Sequence, residues 1–304
     1  QTVTVPLVGR EIPIIADEGV ELGFGTGAVK ITPAHDPLDF EIGQRHHLPQ
    51  LQVIGLDGKI TDVAPVAYQG LTADEARLEV VEDLKRVGAM REIEDFTHQV
   101  PHCYKCGAVI QPLLMKQWFI NVKPLAKRAR EAVEDGKIRF VPAQKGYELI
   151  HYYDELRDWN ISRQIPWGIP IPAFQNVNDP DDWIFDTRVE QKEIEVNGQT
   201  YHRDEDTFDT WFSSGQWPFV TTDYLTDGKL SKFYPNAVME TGADILRAWV
   251  ARMIMLGLYM TNKVPFRDVF LHGLILDEHG QKMSKSKGNV VNPDDIVEQY
   301  GADT

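Results

Sequence analysis

Lys282-Met283-Ser284-Lys285-Ser286, inside the run HGQKMSKSKGN (279–289), sets three lysines (Lys282, Lys285, Lys287) among hydroxyls and between two glycines, Gly280 and Gly288. Met283 is its one apolar residue, so the run cannot be a core strand and reads as an exposed loop with a glycine hinge at each end. Before it comes DVFLHGLIL, where Val269, Leu271 and Ile275 fall on alternate positions, the period of a strand. After it come Asn292, Pro293, Asp294 and Asp295: a capping side chain, a proline at the first helical position and two acids in the first turn, which together start a helix. Strand, lysine loop, helix places the lysines at the carboxyl edge of an open α/β sheet, where ligands bind.

Ammonium groups on a hinged loop can close over a triphosphate, neutralise charge in the transition state and then release product. Three clustered lysines taken alone more often make a solvated basic surface. The exact string, following a strand that ends in His272-Gly273, resembles the second signature of the class I aminoacyl-tRNA synthetases.

The chain has 304 residues, room for about two domains. Its 42% hydrophobic and 25% charged residues are those of an ordinary soluble protein. The longest apolar run, Met253 to Met260, is far short of the ~20 residues of a membrane span, so no membrane partner is expected. Two cysteines make no disulfide framework, and the expected location is the reducing cytoplasm. The net charge of −15 argues against wholesale nucleic-acid binding and leaves phosphate contacts to local clusters such as Lys116, Lys123, Lys127, Arg128 and Arg130. A monomer is expected. Gln1 is not an initiator Met and the chain stops in mid-pattern at Thr304, so both ends are expected to be cuts in a longer polypeptide.

Residues 1 to about 70 read as short β-like runs between turn residues: TVTVPLV, IPIIAD, VELGFGTGAVKIT, LQVIG and KITDVAPVAY. Thr72 and Glu75 form a Thr-x-x-Glu capping box for a helix with Ala76, Val80 and Leu84 inward and Gly88 as its stop. A second helix runs from Pro124, with Leu125, Ala129 and Val133 inward, to Gly136. GFGTGAVK lacks the ending of a phosphate loop and the spacing of a dinucleotide fingerprint, and reads as a bulged strand or turn. Beyond it, Lys30-Ile31-Thr32-Pro33-Ala34-His35-Asp36-Pro37-Leu38-Asp39 gathers a lysine, a hydroxyl, a histidine and two aspartates on a backbone fixed by two prolines. Such carboxylates can hold an ammonium or orient a water, and the lysine can stabilise an oxyanion. Equally, both aspartates can serve as Asx-turn and helix-cap groups.

The stretch GTGAVKITPAHDPLDFEIG (25–43) resembles the editing domain of the valyl branch of those synthetases, which hydrolyses mischarged threonyl-tRNA. An apolar pocket rejects the hydroxyl isostere of valine only about a hundredfold, a figure known for the valyl enzymes themselves rather than read from this chain, hence the second site. The resemblance implies that Asp39 binds the α-amino group of the misattached amino acid, with Phe24, Lys30, Thr32 and Asp36 lining the pocket. Cys103 and Cys106 supply half of a tetrahedral zinc set; His98 and His102 lie too close in sequence to complete it comfortably, and a reduced structural turn is the preferred reading over zinc.

Further on, DWNISRQ and WGIPIP (158–172) resemble the entry to the second half of the family's nucleotide-binding fold, although Trp159, Arg163 and Trp167 would serve in the core and rim of any α/β domain. The polar stretch 176–206 departs from the family pattern and carries a hairpin signal at Asn197-Gly198. By resemblance, Trp211 in an aromatic loop, with Ile245 and Trp249 one helical turn apart, forms the valine pocket; Glu240, Gly242, Asp244, His272 and Gly273 contact ATP and the adenylate; and Lys282, Ser284 and Lys285 act in catalysis. Taken singly, Ile245 and Trp249 are ordinary core residues and Glu240 a helix cap.

The resemblance thus implies an α/β chain: residues 1–100 a mainly β editing domain in part, 101–146 a connection, and 147–304 the second half of a Rossmann-type catalytic domain. The implied activity is ligation of valine to tRNA(Val) with ATP and Mg²⁺, plus editing. The first class I signature does not occur in the chain and is expected upstream of Gln1, so weak or absent activation is expected of this stretch alone. A stand-alone deacylase, an isoleucyl- or leucyl-type synthetase and a non-catalytic nucleotide-binding fragment are the alternatives.

Overall fold

The computed structural model describes residues 1–303 apart from Leu22, Phe24, Tyr104, Lys105 and 285–287. The chain divides into two compact units, residues 1–116 and 117–304.

In the first unit, β1 (Thr2–Thr4) and β2 (Glu11–Pro13) pair antiparallel, Thr2 opposite Pro13. Helix α1 (Pro37–Arg45) begins at Asp36, whose side chain accepts the N–H groups of Leu38 and Asp39, and it buries Ile42 and Gly43. The capping box read from the sequence opens α2 (Ala73–Arg86): Glu75 Oε2 accepts the Thr72 N–H at 2.8 Å, and Thr72 Oγ1 accepts the Glu75 N–H at 3.4 Å. Gly88, at φ +71°, takes the left-handed position past its end. Several of the expected strands are not strands. Among the described residues of 20–32 none lies in a strand, and Gly25 and Gly27, at φ +56° and +72°, take the turn side of the bulged-strand-or-turn reading. Residues 51–55 and 59–68 meet in one antiparallel bridge, Ile54 to Ile60, and Val66–Tyr68 is a 3₁₀ turn.

The second unit opens with β3 (Phe119–Ile120), α3 (Lys123–Glu134), β4 (Arg139–Val141) and α4 (Gln144–Glu155). The corner strands β5 (Trp159–Asn160) and β6 (Ser162–Arg163) follow. The polar insert folds on itself as β7 (Ala173–Asn176), β8 (Trp183–Phe185), β9 (Glu193–Val196) and β10 (Gln199–Arg203), an antiparallel sheet ordered β8-β7-β10-β9. Phe174, Ile194 and Tyr201 form its small core. Its predicted hairpin is present, with Asn197 and Gly198 both at positive φ (52° and 77°), as a type I′ turn requires.

Next come β11 (Thr207–Phe208), α5 (Thr210–Gly215) and α6 (Trp217–Val220). The aromatic segment expected to be a loop is therefore helical: the Asp209 side chain caps α5, and Pro218 sits where α6 begins. The remaining elements are β12 (Asn236–Gly242), α7 (Ala251–Thr261), β13 (Phe266–His272) and α8 (Pro293–Tyr300), whose Asn292 cap and Pro293 start match the sequence reading. β13 ends at His272, so Ile275 lies outside the strand and is 80% exposed.

The main sheet is parallel and ordered β12-β13-β4, with Glu240 opposite Phe270 and Val269 opposite Phe140. Parallel sheets need apolar cover. Here Ala129 and Val133 of α3, Leu149 and Tyr153 of α4, and Met253, Ile254 and Leu258 of α7 pack with Phe140, Met239, Phe266 and Val269. The expected helix after Gly242 is irregular at its start: a 3₁₀ turn (Ala243–Ile245), a π turn (Leu246–Val250), then α7. Among the described residues no helix is long and apolar enough to cross a membrane.

Candidate functional site

The carboxyl ends of β12 and β13 lie side by side, Gly242 opposite His272. That register brings Glu240 Oε1 to 3.3 Å from His272 Nε2, both side chains more than half exposed. The other ring nitrogen, Nδ1, lies 2.7 Å from the Gly273 carbonyl. Gly242 keeps the space between them open: a Cβ there would stand 2.6 Å from Asp244 Oδ1 and 3.7 Å from His272 Cε1. Across this gap Lys282 Nζ donates to Asp244 Oδ2 at 2.7 Å. The Lys282 ammonium, first of all, pulls the Asp244 carboxyl below the usual carboxylate range. Six of the predicted residues, Glu240, Gly242, Asp244, His272, Gly273 and Lys282, are thus gathered at one sheet edge.

The lysine loop is tied at its two ends by residues that the sequence reading passed over. Asp277 Oδ1 accepts the N–H groups of His279 (3.0 Å) and Gln281 (2.7 Å), closing a turn in which Gly280 has φ +72°. Asn289 Oδ1 accepts the Ser284 N–H at 2.9 Å, while its Nδ2 donates to Asp277 Oδ2 at 2.7 Å. An aspartate three residues before a glycine, and an asparagine just after another, were the available signals. Lys285 lies outside the described residues.

The predicted amino-acid pocket residues sit on three short pieces of helix. Trp211 is half-buried on α5, Ile245 ends the 3₁₀ turn and Trp249 lies in the π turn. The regular one-turn spacing assumed for the last two therefore does not apply. Trp249 Nε1 donates to the Ser214 carbonyl of α5 at 2.9 Å, which joins the Trp211 helix to the Trp249 segment. π turns recur at functional sites. A separate apolar cleft of about 420 Å³, bounded by Ile120, Leu125, Phe212, Phe219 and Tyr259, includes none of the predicted site residues.

In the first unit the predicted cluster is drawn together around α1. Thr32 N–H donates to Asp39 Oδ2 at 2.6 Å, and Lys30 Nζ reaches Thr32 Oγ1. Asp36 caps the helix (Oδ1 to Leu38 N 2.8 Å), so the capping alternative holds for it. His35 staples the stretch from behind: Nε2 accepts the Val53 N–H at 2.9 Å, which leaves Nδ1–H to donate to the Pro112 carbonyl at 3.1 Å. Phe24 lies outside the described residues. The Gly107 N–H donates to the Cys103 carbonyl at 2.8 Å, and Tyr104 and Lys105 between the cysteines lie outside the described residues. Among the described residues no three His, Cys, Asp or Glu side chains are grouped to hold a metal.

A family model described as tRNA synthetases class I (I, L, M and V) matches residues 38–304. A valine–tRNA ligase of Anoxybacillus flavithermus is 46% identical over 307 residues, covering 100% of this chain and 34% of that protein. One from Geobacillus stearothermophilus is 48% identical over 304 residues, covering 99% of this chain and 34% of that protein. The chain thus spans about a third of the length of the curated relatives it matches. Among solved structures, a Mycobacterium tuberculosis methionyl-tRNA synthetase in complex with methionyl-adenylate overlaps 67% of this chain and 35% of its own, at 20% identity and a TM-score of 0.48.

Proposed function

The chain belongs to the class I tRNA synthetases, and from that premise we propose that the protein containing it ligates valine to tRNA(Val) and hydrolyses threonine misattached to that tRNA. The single observation carrying the synthetic half is the position of Lys282. Its ammonium reaches Asp244 across the mouth formed by Gly242 and the Glu240–His272 pair. In activation, a valine carboxylate oxygen attacks the α-phosphorus of ATP and pyrophosphate leaves, giving valyl-adenylate. A ribose hydroxyl of the tRNA end then attacks the acyl carbon, and AMP leaves.

This chain's own part is positional and electrostatic. Glu240 can accept from ribose hydroxyls at the strand end, as acidic groups do at such edges. Gly242 lets the nucleotide approach the backbone, and Lys282 can exchange Asp244 for phosphate oxygens as charge gathers on them. The Ser284 N–H, held by Asn289, keeps the loop in one register. Mg²⁺ would supply positive charge to the triphosphate oxygens; among the described residues no three ligating side chains are grouped to hold it.

The editing half rests on Lys30, Thr32 and Asp39. Asp39 Oδ2 is taken by the Thr32 N–H, and among the described residues Oδ1 accepts no hydrogen bond, so it can receive a substrate ammonium. Lys30, beside Thr32, can steady the oxyanion that forms when water attacks the aminoacyl ester. A cytoplasmic location and a monomeric state complete the reading.

The test uses the full-length protein. ATP–pyrophosphate exchange must depend on valine and reject isoleucine and leucine, and threonyl-tRNA(Val) must be deacylated faster than valyl-tRNA(Val). Exchange driven by isoleucine or leucine in place of valine overturns the substrate; deacylation without any exchange leaves only a hydrolase.

A further inference from the structure

Asp209 is a buried carboxylate with no part in the chemistry above, and its bonds run toward the pocket. Its side chain is 8% exposed. Oδ2 accepts the Trp159 indole N–H at 2.9 Å and pairs with Arg163 Nη2 at 2.9 Å, while Oδ1 accepts the Trp211 N–H at 3.2 Å. Arg163 is fixed in turn, its Nη1 donating to the carbonyls of Asn160 (3.1 Å) and Ser162 (2.7 Å). On the far side the Arg252 guanidinium of α7 lies 4.3 Å over the Trp159 ring. One carboxylate therefore fastens the β5–β6 corner to the first residue pair of α5.

What α5 does next gives this meaning. The Ser214 carbonyl near its end receives Trp249 Nε1–H, and Gly215 lets the helix lie so close to α7 that a Cβ there would meet Leu256 Cδ1 at 2.9 Å. Both indoles of the predicted amino-acid pocket are thereby set from this helix: Trp211 through its own peptide N–H, Trp249 through Ser214. We propose that Asp209, held by Arg163 and Trp159, is the positioning residue that fixes the amino-acid pocket and so sets its selectivity; this rests on the valine reading above.

A plain helix cap needs only Oδ1, which asparagine retains. Positioning needs the second oxygen as well, as an acceptor for Trp159 and a charge for Arg163, and Asp209→Asn removes that. In the full-length protein, D209N should lower kcat/KM for valine by about a hundredfold, the loss that a misplacement near 1 Å can cause. The KM for ATP should stay within about twofold, and isoleucine should gain relative to valine. In this chain labelled at the tryptophan indoles, D209N should speed exchange of the Trp249 N–H by at least about tenfold. Trp159→Phe deletes one donor and keeps an aromatic side chain; it must move the same readouts the same way, and it carries the test if D209N does not fold. Equal changes for valine and ATP, or an unchanged Trp249 exchange rate, overturn the proposal. A wild type inert toward valine, with Trp249 still responding to D209N, removes the valine reading and leaves the positioning standing.

Discussion

Replacing Gly43 by alanine tests how the Lys30–Asp39 stretch is held. Gly43 is buried in α1 against Pro33, and a Cβ there would stand 2.7 Å from Pro33 Cγ and 2.8 Å from Pro33 Cβ. Carbons in contact sit about 3.5–4.0 Å apart, so the helix and the proline must separate by roughly 0.8 Å or more. A leucine or lysine neighbour would swing a terminal carbon aside, but a pyrrolidine ring is part of the backbone and cannot. The displacement falls on α1, which carries Asp39 and its 2.6 Å bond to the Thr32 N–H. Opening of that size takes the bond past the ordinary ~3.2 Å limit. Overpacking costs about 1–3 kcal/mol; the weakened bond adds about 1 kcal/mol; alanine's helix preference returns about 1 kcal/mol. The net expectation is a loss of about 1–3 kcal/mol in the first unit. The seven tryptophans all lie beyond residue 117, so indole fluorescence reports only the second unit. In urea, G43A should bring forward the loss of far-UV helix signal that fluorescence does not see, and leave the fluorescence transition in place. In the full-length protein it should depress deacylation of threonyl-tRNA and spare pyrophosphate exchange. A G43A chain as stable as the parent, or a shifted fluorescence transition, refutes the reasoning.

The Asp17 carboxyl is held well below the usual carboxylate range, first by Arg45 (2.6 Å), then by the Gly19 N–H (2.8 Å) and His46 (2.8 Å). A lowered folded-state value means stability that is full above the unfolded value of about 3.9 and lost as pH falls through the folded one. Acid unfolding of the first unit should therefore steepen below about pH 4, and Asp17→Asn should flatten that slope in a circular-dichroism titration. Leu149, fully buried in the main core, should cost about 2–5 kcal/mol as Leu149→Ala, read as an earlier fluorescence transition in urea. Lys282→Ala in the full-length protein should cut the activation kcat by about a hundred- to a thousandfold, as loss of one transition-state donor does. The valine KM should change little; a KM effect alone would make the lysine a binding group.

The sequence was most informative where local chemistry decides the outcome. The Thr72–Glu75 box, the Asn292-Pro293 start and the Asn197-Gly198 hairpin each depend on neighbours within a few residues, and each is present. Among the described residues, the β-like runs at 20–32, 51–55 and 59–68 form no extended ladder, because alternation alone does not supply a partner and glycines at positive φ turn the chain first. The Trp249 segment was misjudged in a similar way. Its apolar spacing suits an α-helix, yet the backbone takes a 3₁₀ turn and then a π turn, with the indole hydrogen-bonded to a residue 35 positions away. Asp209, Asp277 and Asn289 were not singled out for the same reason. Each is an unremarkable polar residue until folding brings in partners from elsewhere in the chain, such as Trp159 for Asp209 and Asp277 for Asn289.

The lysine loop is best understood through the strength of the bond that holds it. Lys282 and Asp244 lie 2.7 Å apart, but their side chains are 64% and 29% exposed. Exposed pairs of this kind are worth about 0–1 kcal/mol, because water and salt screen them and the long side chain gives up rotamer freedom. A cation placed on charge developing in a transition state is worth about 3–4 kcal/mol. In the proposed activation, charge developing on the phosphate oxygens would therefore hold Lys282 more strongly than Asp244 does, so the resting contact orients the lysine without trapping it. A buried pair would fail here, since parting it leaves an uncompensated charge at a cost of about 3–5 kcal/mol, comparable to the whole catalytic gain. The Asp277–Asn289 bonds serve the complementary need. They tie Asp277 to Asn289 and Asn289 to Ser284, on either side of Lys282, so the proposed release of Asp244 leaves these bonds in place. Weak attachment at Lys282 and firm attachment at Asp277 and Asn289 is what the proposed change of partners by Lys282 requires.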